Sequence, residues 1–320
     1  MERRAVGKTP VEVTPIMFGT SALGHMPDTY GYGVDGDRAR ATLDAIFAGP
    51  ANCLDTSNNY GFGRSEIRIG EAIRARGGLP EGFVISTKLD REMETGRFDA
   101  GQARRSIEQS LARLGVDKVG LLHLHDPEHA ADLGEITREC GALDELFKMK
   151  EEGIADAVGL AMGRVDMMLP ILRERPFDAL INHNRWTLLN RSADEMFDYA
   201  STKGIAILNA APFAGGVLAK GADRMPKISY SPADETALEP VRRIEALVAE
   251  HGVAPGAVAL QFSTRDPRIT STIVGVSRPE RVREMLEWND MPVPPDLLEA
   301  LGALPYSMDD PEAHRDYRPG

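Results

Sequence analysis

The side chains that stand out for chemistry are Asp55, Tyr60, Lys88, His123 and His125. A phenol has an ordinary pKa of about 10, and an ammonium beside it favours the phenolate, so Lys88 next to Tyr60 would draw that pKa downward. At an effective dielectric of ~20, one charge at ~4 Å is worth about 4 kcal/mol, enough to move a pKa by units. A buried ammonium needs a carboxylate, and Asp55 can supply it. His125 can then donate a hydrogen bond to a substrate oxygen. Together these groups suit proton transfer at a carbonyl or carbinol oxygen. Taken singly each has a plainer use: Asp55 as a helix cap, Lys88 as a snorkelling surface cation, Tyr60 as a loop aromatic over the core, and a strand histidine as a core imidazole.

The elements around them supply the placement. Cys53-Leu54-Asp55-Thr56-Ser57-Asn58-Asn59-Tyr60-Gly61-Phe62-Gly63 brings a strand to its end, then a carboxylate, a polar turn and a tyrosine between glycines, with Ser65 placed to cap the next helix. Phe83 to Lys88 reads as the next strand and Val119 to His125 as the one after. Residues two apart on a strand share a face, so His123 and His125 both point into a barrel or both out, with His125 nearer the carboxyl end. Earlier, Arg3 to Val13 reads as a hairpin and Pro15 to Thr20 as the first buried strand. Further strands follow over 155–160, 179–182, 204–209 and 270–275, with helical periodicity between them. A glycine-bearing insertion, Pro212 to Pro232, is long enough to expect a function, and the C-terminal tail reads as polar and proline-containing. Eight strands alternating with helices, without a composition break, predict one (β/α)8 TIM barrel with an N-terminal β-hairpin and extra helices, a single domain over 1–320. A doubly wound sheet would carry a Gly-x-Gly-x-x-Gly turn after an early strand, and none is there.

Composition narrows the setting. With Lys+Arg 37 against Asp+Glu 49, the net charge of −12 argues against a nucleic-acid or anionic-membrane surface. No apolar run approaches a membrane span, and the start has no signal-peptide pattern. Cys53 and Cys140 form neither a disulfide framework nor a zinc spacing; buried free thiols in a cytoplasmic protein are expected.

Asp55 with Tyr60-Gly61, then Lys88, then His125-Asp126, matches in order and spacing the catalytic tetrad of the aldo-keto reductases, and the resemblance runs from Gly7-Lys8-Thr9 to the eighth helix. It implies a barrel binding NAD or NADP, without a metal, in which the tyrosine is the general acid/base, lysine and aspartate tune it, and the histidine orients substrate. Gly19, Thr20, Asp55, Met162, His183 and Leu218 are by resemblance cofactor contacts. So are Ser277, Arg278 and Arg281 near the adenosine phosphates, and Glu284 near the adenine. Helix N-termini suit phosphate, as at Gly275-Val276-Ser277-Arg278-Pro279. Asn184-Arg185-Trp186-Thr187-Leu188-Leu189 and Asn209-Ala210-Ala211-Pro212-Phe213 resemble the branch that oxidises L-fucose and other aldoses or pyridoxal. The chain departs from the family where a Ser-Asn pair becomes Ala161-Met162, a Gln becomes His183, a stacking Tyr becomes Ala210, and a Lys becomes Val276.

The small-molecule substrate expected is a carbonyl or hemiacetal, walled by Tyr30, Tyr32, Phe62, Trp186 and Phe213. The favoured reading is oxidation of a cyclic hemiacetal to a lactone; NADPH-dependent reduction of aldehydes or ketones is the alternative. A Schiff-base aldolase using Lys88 needs that lysine neutral, against the charge of Asp55. A metal hydrolase on His123-x-His125 lacks further ligands on suitable strand ends. A non-catalytic cofactor-sensing protein would not need the tetrad.

Overall fold

Side chains in the barrel strands alternate between two fates. In β1 (Ile16–Gly19), Ile16 and Phe18 join the core shared with the helices, while Met17 joins an inner cluster with Cys53, Leu121, Ala157, Ile181 and Leu208. That period of two is intrinsic to an extended chain. The computed structural model describes residues 1–229 and 231–314. Its other barrel strands are β2 (Cys53–Asp55), β3 (Val84–Leu89), β4 (Val119–His125), β5 (Ala155–Ala161), β6 (Ala179–His183), β7 (Ala206–Ala210) and β8 (Ile269–Gly275). Each pairs in parallel with the next, and β8 pairs with β1, closing the ring. The predicted (β/α)8 barrel is the fold observed.

Local chemistry starts the helices. Asp35 and Asp99 accept the backbone N–H of Arg38 and Gln102 and so open Gly36–Ala48 and Ala100–Leu114. Ser65 does not play that part. Gly63, at φ 87°, turns the chain so that the helix already runs from Arg64 to Ala75, and Ser65 Oγ donates to the Thr20 carbonyl at 3.0 Å from inside the first turn.

The N-terminal hairpin pairs Arg4–Ala5 with Glu12–Val13 and pushes Val6, Val11 and Val13 into the inner cluster. Arg4 Nη1 donates to the carbonyl of Ile269 at 2.8 Å, and Asn52 Oδ1 accepts from Thr14 N at 2.8 Å. These residues stand where strands begin, so the hairpin closes the amino end of the barrel.

Beyond β7 the long insertion is structured: a short helix, Val217–Lys220, precedes an antiparallel pair of Lys227–Ile228 with Ser231–Pro232. The expected polar tail contains a helix, Pro295–Gly302, which buries Leu297 and Leu301 four residues apart. Residues 315–320 of that tail lie outside the described residues. Cys53 is buried as expected, whereas Cys140 is exposed. Among the described residues no helix is long and apolar enough to cross a membrane.

Candidate active site

Strand register gathers the tetrad. Gly19 lies beside Asp55 and Lys88 beside His123, with His125 at the end of β4. Lys88, 1% exposed, donates to Asp55 Oδ2 at 2.7 Å, to the Thr56 carbonyl at 2.6 Å and to Tyr60 OH at 3.2 Å. An ammonium has three hydrogens, and all three are taken. Ser86 Oγ donates to the other Asp55 oxygen at 3.0 Å. The phenol oxygen of Tyr60 therefore accepts from Lys88, which leaves its own hydrogen for a partner in the cavity that Tyr60 lines.

The surroundings do not lower the pKa of Tyr60 as the sequence led us to expect. Burial first, then the Asp55 carboxylate, raise it well above its ordinary value. Burial disfavours a phenolate because it strips water from the charged form, and Lys88 is already committed to Asp55. The resting group is a phenol.

His123 and His125 both point inward. His123 sits lower, with Nδ1 3.4 Å from Ser86 Oγ and Nε2 without a partner among the described residues. Burial, then the nearby Lys88 and His125, push its pKa down to about 3, so it is neutral. A Cβ on Gly159 would come within 2.4 Å of its ring, which explains glycine on β5 there. His125 Nδ1 instead meets Asp90 Oδ1 at 2.6 Å, and its Nε2 lies 3.5 Å from Asp126 Oδ1. Burial works against a charge on His125, but Asp126 and Asp90 outweigh it and raise its pKa. Asp90 also receives Ser57 Oγ and, at 3.0 Å, the backbone N–H of Asn59. Burial opposes its charge too, yet His125 and Ser57 hold its carboxyl below the usual range. The sequence reading missed Asp90; the available signal was its place two residues after Lys88 at the same strand end.

Above these groups opens a cavity of about 1540 Å³. Gly19, Met162, His183, Ser277, Arg278 and Arg281 line it, as do Tyr30, Tyr32 and Phe213. Lys220, from the insertion, joins Arg278 and Arg281; burial and then those two guanidiniums lower its pKa. Three cations crowded at the start of the Pro279–Asp290 helix fit an anionic ligand such as a dinucleotide's phosphates. The opposite wall is closed from the far end of the chain. Glu312 accepts from Asn184 Nδ2 at 2.7 Å and pairs with His183 Nε2 at 3.1 Å and Arg185 Nη1 at 3.4 Å.

Other expected contacts stand apart from the cavity wall. Phe62, in a left-handed conformation between Gly61 and Gly63, is turned outward and 66% exposed. Trp186 stacks on Phe262, with ring centroids 5.8 Å apart, because the chain turns at Asn184 (φ 61°) and leaves the mouth. Thr20 is buried, its hydroxyl bonded to the Asp55 carbonyl at 2.9 Å. Leu218 packs in the core outside the strands, and Glu284 is paired with Arg281 on the helix face.

The aldo/keto reductase family model matches residues 15–304. Among curated relatives, L-galactose dehydrogenase of Arabidopsis thaliana is 29% identical, over 89% of this chain and 86% of its own. Pyridoxal 4-dehydrogenase of Microbacterium luteolum is 27% identical (94% and 96%), and D-threo-aldose 1-dehydrogenase of a Pseudomonas species 28% (83% and 87%). A solved aldo-keto reductase of Bacillus halodurans in its holo form superposes with a TM-score of 0.78 at 19% identity, covering 99% of this chain and 100% of the other.

Proposed function

The chain belongs to the aldo/keto reductase family, and from that premise we propose that it is an NAD(P)-dependent dehydrogenase oxidising a cyclic hemiacetal to a lactone. The substrate class is an aldose such as L-fucose or D-arabinose, or pyridoxal. The observation that carries the reading is Tyr60, held by Lys88 at 3.2 Å, facing His125 with ring centroids 6.0 Å apart at the floor of the cavity. Two polar groups there converge on one substrate oxygen. The names of the dehydrogenase relatives supply the substrate class.

A bound nicotinamide would supply the hydride chemistry. Lys220, Ser277, Arg278 and Arg281 would hold its phosphates, with Gly19, Met162 and His183 along the wall. Tyr30 and Phe213 would wall the substrate, and Tyr60 would be the acid/base group in contact with its oxygen. A protonated phenol also suits giving a proton to a carbonyl oxygen, which favours aldehyde reduction as a second reading. An aldolase is disfavoured because all three hydrogens of the Lys88 ammonium are engaged. A cytoplasmic setting is proposed with the enzyme, on its two free cysteines.

Isotope tracing tests the reaction. Oxidation in ¹⁸O-labelled water, quenched early, should give a first product without label, since a lactone formed directly takes no water. Label in that product would mean oxidation of a hydrated open-chain aldehyde, and the hemiacetal reading would fall.

A further inference from the structure

His125 ends β4 facing the cavity, and on a continuing strand the next residue would face away. Asp126 does not. It turns left-handed, at φ 44° and ψ 50°, a conformation that Asp tolerates better than most side chains, and both residues line the mouth. The turn is held from two sides. The Asp126 N–H donates to the Ala161 carbonyl at 2.8 Å, and the Asp126 carbonyl accepts from the His129 N–H at 3.0 Å. Backbone strain kept at a site argues for a use of the side chain it aims.

The side chain so aimed is short of partners. It is 14% exposed, and its one polar contact among the described residues is His125 Nε2 at 3.5 Å. That is longer than an ordinary N–H···O bond, and longer than the 2.6 Å from His125 Nδ1 to Asp90. A carboxylate offers about four lone-pair sites, and a largely buried one without donors gains them from a ligand. Resting on the dehydrogenase reading, we infer that Asp126 is a specificity-determining residue. It accepts a hydrogen bond from the hydroxyl on the carbon next to the reacting one, and so selects an uncharged aldose over pyridoxal or a sugar phosphate.

Spacing and charge both support that choice. The reacting oxygen lies between Tyr60 and His125 in the dehydrogenase reading. The 3.5 Å from His125 Nε2 to Asp126 Oδ1 then suits a second oxygen on the neighbouring carbon, the relation of the C1 and C2 hydroxyls of an aldose. In pyridoxal the ring hydroxyl stands one carbon further from the reacting one. On this side of the cavity Arg164 is paired with Asp166, and Arg185 with Asp310 and Glu312, so these cations are already answered. Glu128, on the same turn as Asp126, adds another carboxylate, whose Oε1 accepts from the Gly163 N–H at 2.7 Å. An anionic group carried by the substrate would meet like charge here.

The test compares kcat/KM for L-fucose and D-arabinose with those of their 2-deoxy forms, in the parent and in Asp126→Gly. Glycine takes a left-handed turn without strain, so the loop is kept. Removing Asp126 also changes the charge beside His125, but that acts on both sugars of a pair and cancels in their ratio. The parent should prefer the C2-hydroxylated sugar roughly ten- to a hundredfold, the scale of a hydrogen bond to a charged group, and Asp126→Gly should shrink the preference to about threefold or less. Should that variant not fold, Asp126→Asn, of the same shape without the charge, should cut the preference at least about threefold. An equal preference in parent and folded variant would overturn the inference and leave the dehydrogenase reading standing. So would pyridoxal or D-arabinose 5-phosphate used better by the parent than either aldose. No nicotinamide-linked turnover of any of these compounds would overturn the dehydrogenase reading, and the inference with it.

Discussion

His123 and His125 are the same residue type on the same face of the same strand, 2 positions apart, and their surroundings give them opposite characters. In the throat of the barrel His123 has, among the described residues, no carboxylate on either nitrogen and stays neutral, its pKa pushed to about 3. In the mouth His125 lies between two carboxylates and holds a proton more tightly than an ordinary histidine. One step of the pleat, about 7 Å along the strand, separates packing from chemistry. Throat and mouth should accordingly answer different measurements.

The largest effect is expected in the mouth. Tyr60→Phe should lower turnover by roughly two or more orders of magnitude while leaving folding and cofactor affinity nearly unchanged. A folded variant turning over at the parent rate would remove Tyr60 from the chemistry and blur the contrast.

The throat should report in stability. The folded-state pKa of His123 is depressed, so below pH 6.5 the unfolded chain takes up a proton that the folded one refuses, and stability falls as pH falls toward 3. His125 has the opposite sign: its contribution is complete below pH 6.5 and fades as pH rises through its raised pKa. Between pH 6.5 and 5 His123 should cost on the order of 2 kcal/mol, read from urea midpoints. His123→Gln should flatten that acid slope; equal slopes in parent and variant would contradict a neutral throat histidine.

Cofactor choice belongs to the rim. Arg278 and Arg281 suit a 2′-phosphate, whereas Val276 in place of the lysine expected from the family resemblance pulls toward NAD. Both cofactors should work, NAD marginally better. A kcat/KM more than about a hundredfold in favour of NADP, about 2.7 kcal/mol, would refute this.

The smallest effect marks where the mouth ends. Phe62→Ala should leave kcat/KM within about twofold, since the ring is 66% exposed and outside the cavity wall. A tenfold loss would mean that the loop folds over the substrate.

Asp55, Lys88 and His125 were legible because each stands at the end of an apolar run, and strand ends fall together by topology. The inward face shared by the two histidines followed from the period of two. Other features were hidden for distinct reasons. Asp90 follows a strand end and reads as an ordinary loop carboxylate until β4 is laid beside β3. Glu312 reaches His183 across 129 positions, a contact no local pattern encodes. Phe62 and Trp186 were aromatic residues near the right strands, but their directions depend on backbone turns at Phe62 and Asn184 that residue type does not reveal. The raised pKa of Tyr60 is hidden because sequence shows the neighbouring Lys88 but not the burial that disfavours the phenolate.

The hairpin at the amino end has a consequence for traffic. Val6, Val11 and Val13 stop the barrel like a cork, and among the described residues the inner cluster above them leaves no passage through the middle. Whatever reaches Tyr60 and His125 enters and departs by one doorway. Where two molecules must share that doorway, the deeper one arrives first and leaves last, so the architecture dictates a queue.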